Sequence, residues 1–391
     1  MAKELPEKQP HKKKLEQEEA PNPVKENVVR ILTFPWRLLC WLGRSIRLFW
    51  QGRWWQKVIL IIVGFIIFAL TLGYGIACWY RASTKDQPLE LGVTYVADYA
   101  AAFGLNPEET YTAILDELQV KNLRLVSYWN KIEATEGTYN FAELDKQFAQ
   151  AQSAGADISL ALGVRQPRWP ECHIPDWAKD KDMAALEPQL QAYITAVVNR
   201  YKDKSNLKSW QLENEALLGA FGECPAADRD RLEREFTTVK TLDRSRPIIM
   251  TRSNNMPFLA LGKPRADIVG MSVYRRVWNQ NLYKGYFNYP LPSWYYAALA
   301  GSQKLVTDRD SILHEMQMEP WPPNGQFIAD VSKQEQDKSM NAAMFADRID
   351  FAKNTGMRQI DLWGAEWWYY RKVVLKDNSL WQAARETFTQ Q

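Results

Sequence analysis

Three polar residues, Asn214, Glu215 and Glu315, occupy the ends of two apolar runs in the sequence. The first two close the run "KSWQLENE" that begins at residue 208, and Glu315 lies near the end of "SILHEM" from residue 311. Two carboxyl groups can share the work of an acid and a nucleophile when their surroundings hold one protonated and the other ionised. Such chemistry requires a fold that brings Glu215 and Glu315 together, although they lie one hundred positions apart.

The elements that must position these residues begin at about residue 88, where short apolar runs start to alternate with longer helical patterns. Eight strands are predicted, beginning at residues 89, 122, 157, 208, 247, 267, 311 and 358. Helical patterns lie between them, such as "PEETYTAILDELQV" from Pro107 and one long pattern over residues 336–356. Eight β/α pairs over roughly 300 residues predict a (β/α)8 TIM barrel, of the α/β class, in residues 88–391.

An open, doubly wound sheet is the alternative fold, but the sequence has no GxGxxG or GxxxxGK(S/T) loop for a nucleotide. In a barrel the carboxyl ends of the strands meet at one face, so Glu215 after strand four and Glu315 in strand seven converge. Glycoside hydrolysis needs this arrangement, because one carboxyl protonates the leaving oxygen and the other supports the sugar cation. The competing interpretation is that each Glu caps a strand or forms a surface ion pair.

Four stretches of the sequence resemble clan A glycoside hydrolases, which are retaining (β/α)8 enzymes. These stretches are "WQLENE" at strand four, "ILHEMQMEPW" at strand seven, "DLWGAEWW" at strand eight, and "KIEATEGTYNFAELD" after Trp129. The resemblance covers most of residues 90–391, and the general layout is similar to family 5, the cellulase-like family. The clan's usual Pro after the strand-four Asn-Glu pair is replaced here by Ala216.

The resemblance implies a role for each matching residue. Glu215 would be the general acid/base, with a raised pKa, and Glu315 the nucleophile. Asn214 would donate to the sugar 2-hydroxyl. Arg124 and Tyr274 would keep Glu315 ionised and oriented, and Trp363 would form the platform beneath the sugar at the cleavage point.

Other polar residues near the predicted cleft have open roles. Glu213 is predicted to support a neighbour, while Glu319 and Glu366 either contact sugar hydroxyls or form structural ion pairs. Loop salt bridges are favoured over substrate contact for Arg165 and Arg168. Five tryptophans follow strands two, three, seven and eight, and each either lines a sugar subsite or packs under a loop: Trp129, Trp169, Trp321, Trp367 and Trp368.

No metal or other cofactor is predicted. The chain has only three His, and His173 and His314 have no partner at metal-ligand spacing. Strand alternation predicts that His314 points away from the face that carries Glu315. The absence of an HxH motif also argues against a metal-dependent amidohydrolase barrel.

The N-terminal fifth of the chain predicts a membrane anchor. Residues 1–26 are rich in charge and Pro and predict a disordered tail, and residues 27–57 predict a basic amphipathic juxtamembrane segment, or alternatively a basic linker. Residues 58–80 carry no charge and are long enough to span a bilayer. The basic excess before this run places the N-terminus in the cytoplasm and the barrel outside the cell. A cleaved signal peptide is the alternative, although the polar region before the run is longer than such peptides allow.

Cys172 and Cys224 lie in the outer domain, where a disulfide can form, and two unpaired thiols are the alternative. The net charge of +3 makes nucleic acid an unlikely partner. The predicted partners are an oligo- or polysaccharide substrate and membrane lipid, and the oligomeric state is left open. The predicted function is a membrane-anchored retaining glycosidase for β-linked extracellular glycans, with a catalytically inactive glycan-binding barrel as the alternative.

Overall fold

A computed structural model of the chain describes residues 43–45, 47, 50–51, 53–219, 221–253, 260–281 and 283–389. The predicted tail, residues 1–26, and most of the predicted amphipathic segment, residues 27–57, lie outside this part. The chain divides into two compact units, Met1–Thr71 and Leu72–Gln391. Helix α1, Trp54–Thr84, begins in the first unit and ends in the second. It is the one helix of the described residues that is long and apolar enough to cross a membrane, with a mean hydropathy of 2.6.

The second unit contains a closed barrel of eight parallel strands, which confirms the predicted fold. Around the barrel the strands follow the order β1, β10, β9, β6, β5, β4, β3, β2, so predicted strands seven and eight are β9 and β10. All eight predicted strands are present. Their bounds are β1 Glu90–Thr94, β2 Asn122–Val126, β3 Asp157–Leu162, β4 Leu207–Leu212, β5 Ile248–Ser253, β6 Ile268–Val273, β9 Asp310–Gln317 and β10 Gln359–Trp363.

Helices connect the strands, and a hairpin that the sequence analysis did not predict follows β6. The hairpin strands are β7 Arg276–Asn279 and β8 Gly285–Asn288, which pair antiparallel. The helices are α2 Ala97–Ala102, α3 Pro107–Asp116, α4 Trp129–Ile132, α5 Ala142–Ser153, α6 Met183–Tyr201, α7 Arg229–Leu242, α8 Ser293–Thr307, α9 Lys333–Ser339, α10 Ala342–Lys353, α11 Ala365–Val373 and α12 Ser379–Thr389.

The single helical pattern over residues 336–356 is a wrong prediction, because the structure has two helices there, α9 and α10. Asn341 lies between them in an extended conformation, and its side chain accepts a hydrogen bond from the Met344 N–H as the N-cap of α10. A side-chain oxygen that satisfies a free N–H in this way favours a new helix start over a continuous helix. The periodic spacing of apolar residues continues from α9 into α10, so the sequence pattern alone did not show that the helix is interrupted.

Residues 72–84 of α1 pack against barrel helix α8. A Cβ added to Gly301 would lie 2.8 Å from Ile76 Cγ2 and 3.0 Å from Tyr80 Cβ, so only glycine allows this close approach. The Thr84 hydroxyl donates a hydrogen bond to the Gly356 carbonyl at 2.8 Å. The end of the apolar helix is therefore part of the barrel unit.

A β-bulge changes the direction of side chains in β9. The register shifts against β6 between Met271 and Ser272, and against β10 between Ile360 and Leu362. His314 is the extra residue, since Leu313 and Glu315 pair with consecutive residues of β6. A bulge breaks the two-residue alternation of a strand. The expectation that His314 points away from Glu315 is wrong, because His314 Nδ1 lies 2.5 Å from Asp361 Oδ2 inside the barrel.

Candidate active site

The turn after β4 carries Glu213, Asn214 and Glu215 and departs from strand geometry. Strand β4 ends at Leu212, and Glu213 and Glu215 have φ values of 54° and 45°, in the left-handed region. The Glu213 carboxylate accepts hydrogen bonds from the backbone N–H groups of Val164 and Arg165, at 2.9 and 2.7 Å. Glu213 thus supports the loop after β3, in agreement with the supporting position predicted for it.

Glu215 lies at the mouth of the barrel with a 9% exposed side chain. Its backbone N–H donates to the Thr251 hydroxyl at 2.7 Å, which fixes the turn although Ala216 replaces the clan's proline. Burial, and after it the negative charge of Glu315, raise the pKa of Glu215 to about 7. A carboxyl group with this pKa can donate a proton near neutral pH.

Glu315 is held by two donors from other strands. Arg124 Nη1 donates to Glu315 Oε1 at 2.8 Å, and the Tyr274 hydroxyl donates to Glu315 Oε2 at 3.0 Å. Glu315 is 3% exposed and Arg124 is fully buried. Charge-assisted hydrogen bonds of this kind stabilise a carboxylate and fix its orientation. The structure therefore brings together three of the residues predicted for the site.

Asn214 connects both sides of this centre through its amide. Its Oδ1 accepts hydrogen bonds from Arg124 Nη2 at 2.8 Å and from the Thr251 hydroxyl at 3.1 Å. Its Nδ2 donates to Glu171 Oε2 at 3.0 Å, which leaves the second amide hydrogen for another acceptor. Arg124 and Glu171 thus fix the orientation of the Asn214 amide, the first through its oxygen and the second through its nitrogen.

Glu171 is a third carboxyl at this centre, and the sequence analysis missed it. It lies after β3, is 5% exposed, and is 3.5 Å from Arg165 Nε. Burial raises the pKa of Glu171 to about 8, with a smaller contribution from the charge of Glu315. Its neighbour Cys172 was the available signal, since the predicted bridge to Cys224 joins this loop to the one after Glu215. That Cys172–Cys224 disulfide is present in the structure.

Trp363 is less open than a sugar platform would be. Its side chain is only 6% exposed, and the Arg168 guanidinium lies over its ring, 3.9 Å from the centroid. Arg168 also pairs with Glu319 at 2.5 Å and with Glu366 at 3.2 Å. The ion-pair interpretation of Glu319 and Glu366 is therefore the one that the structure supports, and Arg168 covers part of the Trp363 ring.

The tryptophans near the cleft fall into two groups. Trp129, Trp367 and Trp368 are fully buried and pack in the core. Trp169 is 61% exposed at the barrel mouth, in edge contact with Phe221 at 5.7 Å between ring centroids. Trp321 continues this row, 6.2 Å from Phe221. Exposed rings in a row are suited to contact with sugar rings.

The described part of the chain contains no group of three or more His, Cys, Asp or Glu residues that could hold a metal ion. His173 stacks on Tyr128 at 3.5 Å, and His314 contacts Asp361. Arg165 donates to the carbonyls of Leu218 and Phe221, at 2.8 and 2.9 Å, so it braces the loop after β4. These residues are part of the framework around the carboxyl groups.

The structure is an eight-stranded parallel barrel with an Asn-Glu pair after strand four and a buried Glu in strand seven. Together with the sequence comparison, these features support placing the chain in the class of clan A (β/α)8 glycoside hydrolases. Residues 103–224 match the sequence model of Glycosyl hydrolase family 10. The resemblance to the clan is confirmed. The matching model is that of family 10, and a solved structure of family 5, a GH5_18 from Bifidobacterium longum subsp. infantis, shares the fold with a TM-score of 0.51 at 12% identity, covering 77% of this chain and 79% of that one.

Individual relatives agree with this class. Beta-galactosidase LacZ of Lactobacillus acidophilus is 26% identical over an alignment of 161 residues, and the match covers 36% of this chain and 24% of the relative. The chain thus matches about a quarter of the length of its curated relatives.

Solved structures share the fold. Xylanase 10B from Thermotoga maritima has a TM-score of 0.51 at 16% identity, covering 80% of this chain and 99% of that one. Exo-beta-1,4-mannosidase Op5Man5 from Opitutaceae bacterium strain TAV5 has a TM-score of 0.53 at 15% identity, covering 77% and 60%.

Proposed function

We propose that the barrel hydrolyses β-linked glycosidic bonds with retention of configuration, with Glu315 as nucleophile and Glu215 as general acid/base. One observation carries the proposal: the two carboxyl groups share a buried centre but have different environments. Burial raises the pKa of Glu215 to about 7, whereas Glu315 accepts hydrogen bonds from Arg124 and Tyr274. This is the difference in environment that separates the acid from the nucleophile in such enzymes.

The first step forms a covalent intermediate. A Glu315 carboxylate oxygen attacks the anomeric carbon, the bond to the leaving oxygen breaks, and Glu215 gives its proton to that oxygen. In the second step Glu215 takes a proton from water, the water oxygen attacks the anomeric carbon, and the bond to Glu315 breaks. Two inversions give net retention. The free amide hydrogen of Asn214 is available to the sugar 2-hydroxyl.

The test is a screen of the detergent-solubilised full chain against aryl β-xyloside, β-galactoside, β-mannoside and β-glucoside, together with xylan and mannan. We expect turnover on at least one aryl glycoside, with the β-anomer as the first product by proton NMR. Glu315→Ala should abolish it, and azide should restore it by attack at the vacated position. Glu386→Ala, on the exposed face of α12, is the control and should keep wild-type turnover. Undiminished turnover by Glu315→Ala would remove Glu315 as nucleophile.

The second candidate function is a glycan-binding barrel without catalysis. The exposed rings of Trp169 and Phe221, 61% and 38% exposed, favour it because they provide contact area for sugars independently of the carboxyl groups. The same screen separates the two functions. Binding of xylan or mannan without turnover on any aryl glycoside would support the binding barrel.

We further propose that α1 anchors the chain in the cell membrane, with the barrel outside the cell. Its apolar part is long enough to span a bilayer, and residues 27–57 contain basic but no acidic residues. The Cys172–Cys224 disulfide is compatible with an oxidising exterior. Protease added to intact cells should digest the barrel and leave a protected N-terminal fragment. A mature protein that begins after residue 80 would instead indicate a cleaved signal sequence.

A further inference from the structure

The loop after β3 crosses the mouth of the barrel. We call residues 163–175 the β3 strap. Strands β3 and β9 stand on opposite sides of the closed barrel, four places apart in the strand order. Arg168 of the strap nevertheless reaches Glu319, two residues beyond the end of β9, at 2.5 Å. The strap therefore spans the opening from one side to the other.

Arg168 is fixed in place at the far end of the strap. Its guanidinium lies between the rings of Tyr99 and Trp363, at 3.6 and 3.9 Å from their centroids. It also forms ion pairs with Glu319 and Glu366 through Nη1 and Nη2, while its Nε has no hydrogen-bond partner among the described residues, and its side chain is only 6% exposed. A buried arginine with stacked faces and two ion pairs is costly to displace. We call this group, with Arg168 at its centre, the Arg168 plug.

The plug lies at a defined end of the cleft. Strand β4, which leads to Glu215, is opposite β10, which ends in Trp363. Because Glu215 would protonate the leaving oxygen, the leaving group lies on the β4 side and the rest of the cleaved sugar points towards Trp363. The Arg168 plug therefore closes the side on which a longer chain would continue beyond the cleaved sugar.

Aromatic rings lie against the loop after β4, which also carries Glu215. Phe221 of this loop contacts Trp169, which follows Arg168 in the β3 strap, and Trp321 lies 6.2 Å from Phe221. Trp321 also contacts Tyr274, which donates to Glu315, so the row leads to the carboxyl centre. Sugar rings of a leaving chain can lie against these faces.

We infer that the Arg168 plug makes the site exo-acting: it accepts the non-reducing terminal sugar of an unbranched β-linked chain, and the remaining chain lies along the aromatic row. This inference rests on the proposed glycosidase function. Its substrate class is the free end of a β-linked oligosaccharide. Internal bonds of a polysaccharide are excluded by this inference because a chain continuing beyond Trp363 would have to displace Arg168 from Tyr99, Glu319 and Glu366.

The product pattern of the wild-type full chain tests the inference without any variant. The probes are three β-1,4-linked hexasaccharides labelled at the reducing end: xylohexaose, mannohexaose and galactohexaose. We expect the labelled pentamer first, followed by the tetramer and trimer in sequence. If the enzyme hydrolyses aryl glycosides but releases labelled dimer and trimer early, the inference that the Arg168 plug makes the site exo-acting is wrong. The proposed glycosidase function would still hold. No turnover on any aryl glycoside would instead overturn the proposed function, and the inference with it.

Two variants sharpen the result. Arg168→Ala combined with Glu319→Gln and Glu366→Gln removes the plug without leaving either carboxylate as an unpaired charge. It should raise the share of internal cleavage at least about 10-fold, equivalent to about 1.4 kcal/mol. Trp169→Ala should raise KM for the hexamer about 10-fold, as the loss of one ring contact implies, and should raise it more than KM for the aryl glycoside. Arg200→Ala, which removes an exposed partner of Asp145, is the control and should keep the wild-type pattern. Equal KM values for Trp169→Ala and wild type on the hexamer would show that the remaining chain does not lie along the aromatic row.

Discussion

Arg124 Nη1 lies 2.8 Å from Glu315 Oε1, and both side chains are buried at the carboxyl end of the barrel. The same guanidinium donates to Asn214 Oδ1 from Nη2 and to Gln211 Oε1 from Nε, at 2.8 and 2.6 Å. One arginine of β2 thus connects the residue after β4 with the candidate nucleophile of β9. Its rigid fork of donors makes this possible, since a lysine could not present three fixed directions.

Replacing Arg124 should damage both stability and activity. Arg124→Met leaves Glu315 buried without its cationic partner, which should lower the free energy of unfolding by about 3–5 kcal/mol. Urea denaturation followed by tryptophan fluorescence measures this loss. Arg200→Ala, at an exposed pair, should change little by comparison. An Arg124→Met protein as stable as wild type would show that the buried pair is dispensable.

The pH dependence of turnover should report Glu215. In the proposed mechanism Glu215 acts as an acid, and its pKa is raised to about 7, so kcat/KM should fall as pH rises through about 7. Glu215→Gln should lose roughly 10²–10⁴-fold in kcat/KM on poor leaving groups and should lose this basic limb. Aryl glycosides with acidic leaving groups should be affected less. A basic limb that persists in Glu215→Gln would assign the limb to another group.

Glu171 should make stability fall with rising pH. Its pKa is raised from the ordinary 4.5 to about 8 in the folded state, so the folded protein holds a proton that the unfolded chain releases. The stabilisation is complete below about pH 4.5 and is lost as pH rises towards 8. Glu171→Gln, which keeps an acceptor for Asn214, should therefore be more stable than wild type at pH 9 and equal at pH 4. Denaturation curves at both pH values provide the measurement, and identical curves at pH 9 would contradict the neutral form of Glu171.

The Cys172–Cys224 disulfide should stabilise the mouth of the barrel. It joins the β3 strap to the loop after β4, across a sequence separation of 52 residues. Its removal by the double substitution Cys172→Ser and Cys224→Ser should cost about 2–4 kcal/mol of unfolding free energy. Turnover should also fall, because Glu171 and Glu215 lie on the two joined loops. Cys78→Ser, at an exposed free cysteine, is the matched control. Full activity in the double variant would show that the site does not depend on the disulfide.

The sequence by itself determined the eight barrel strands, because the alternation of apolar strands with amphipathic helices is a local signal that each segment carries alone. It also placed Glu215 and Glu315 together, since the ends of parallel barrel strands must meet at one face. Arg124 and Tyr274 followed only from the resemblance to clan A glycoside hydrolases. Only the tertiary structure decided what lies above them. The inward turn of His314 depends on a one-residue bulge that periodicity does not record. The contacts of Arg168 with Glu319 and Trp363 join loops that are far apart in the chain, so no local pattern encodes them. The burial that raises the pKa of Glu171 arises in the same way, from loops that meet only in the folded barrel.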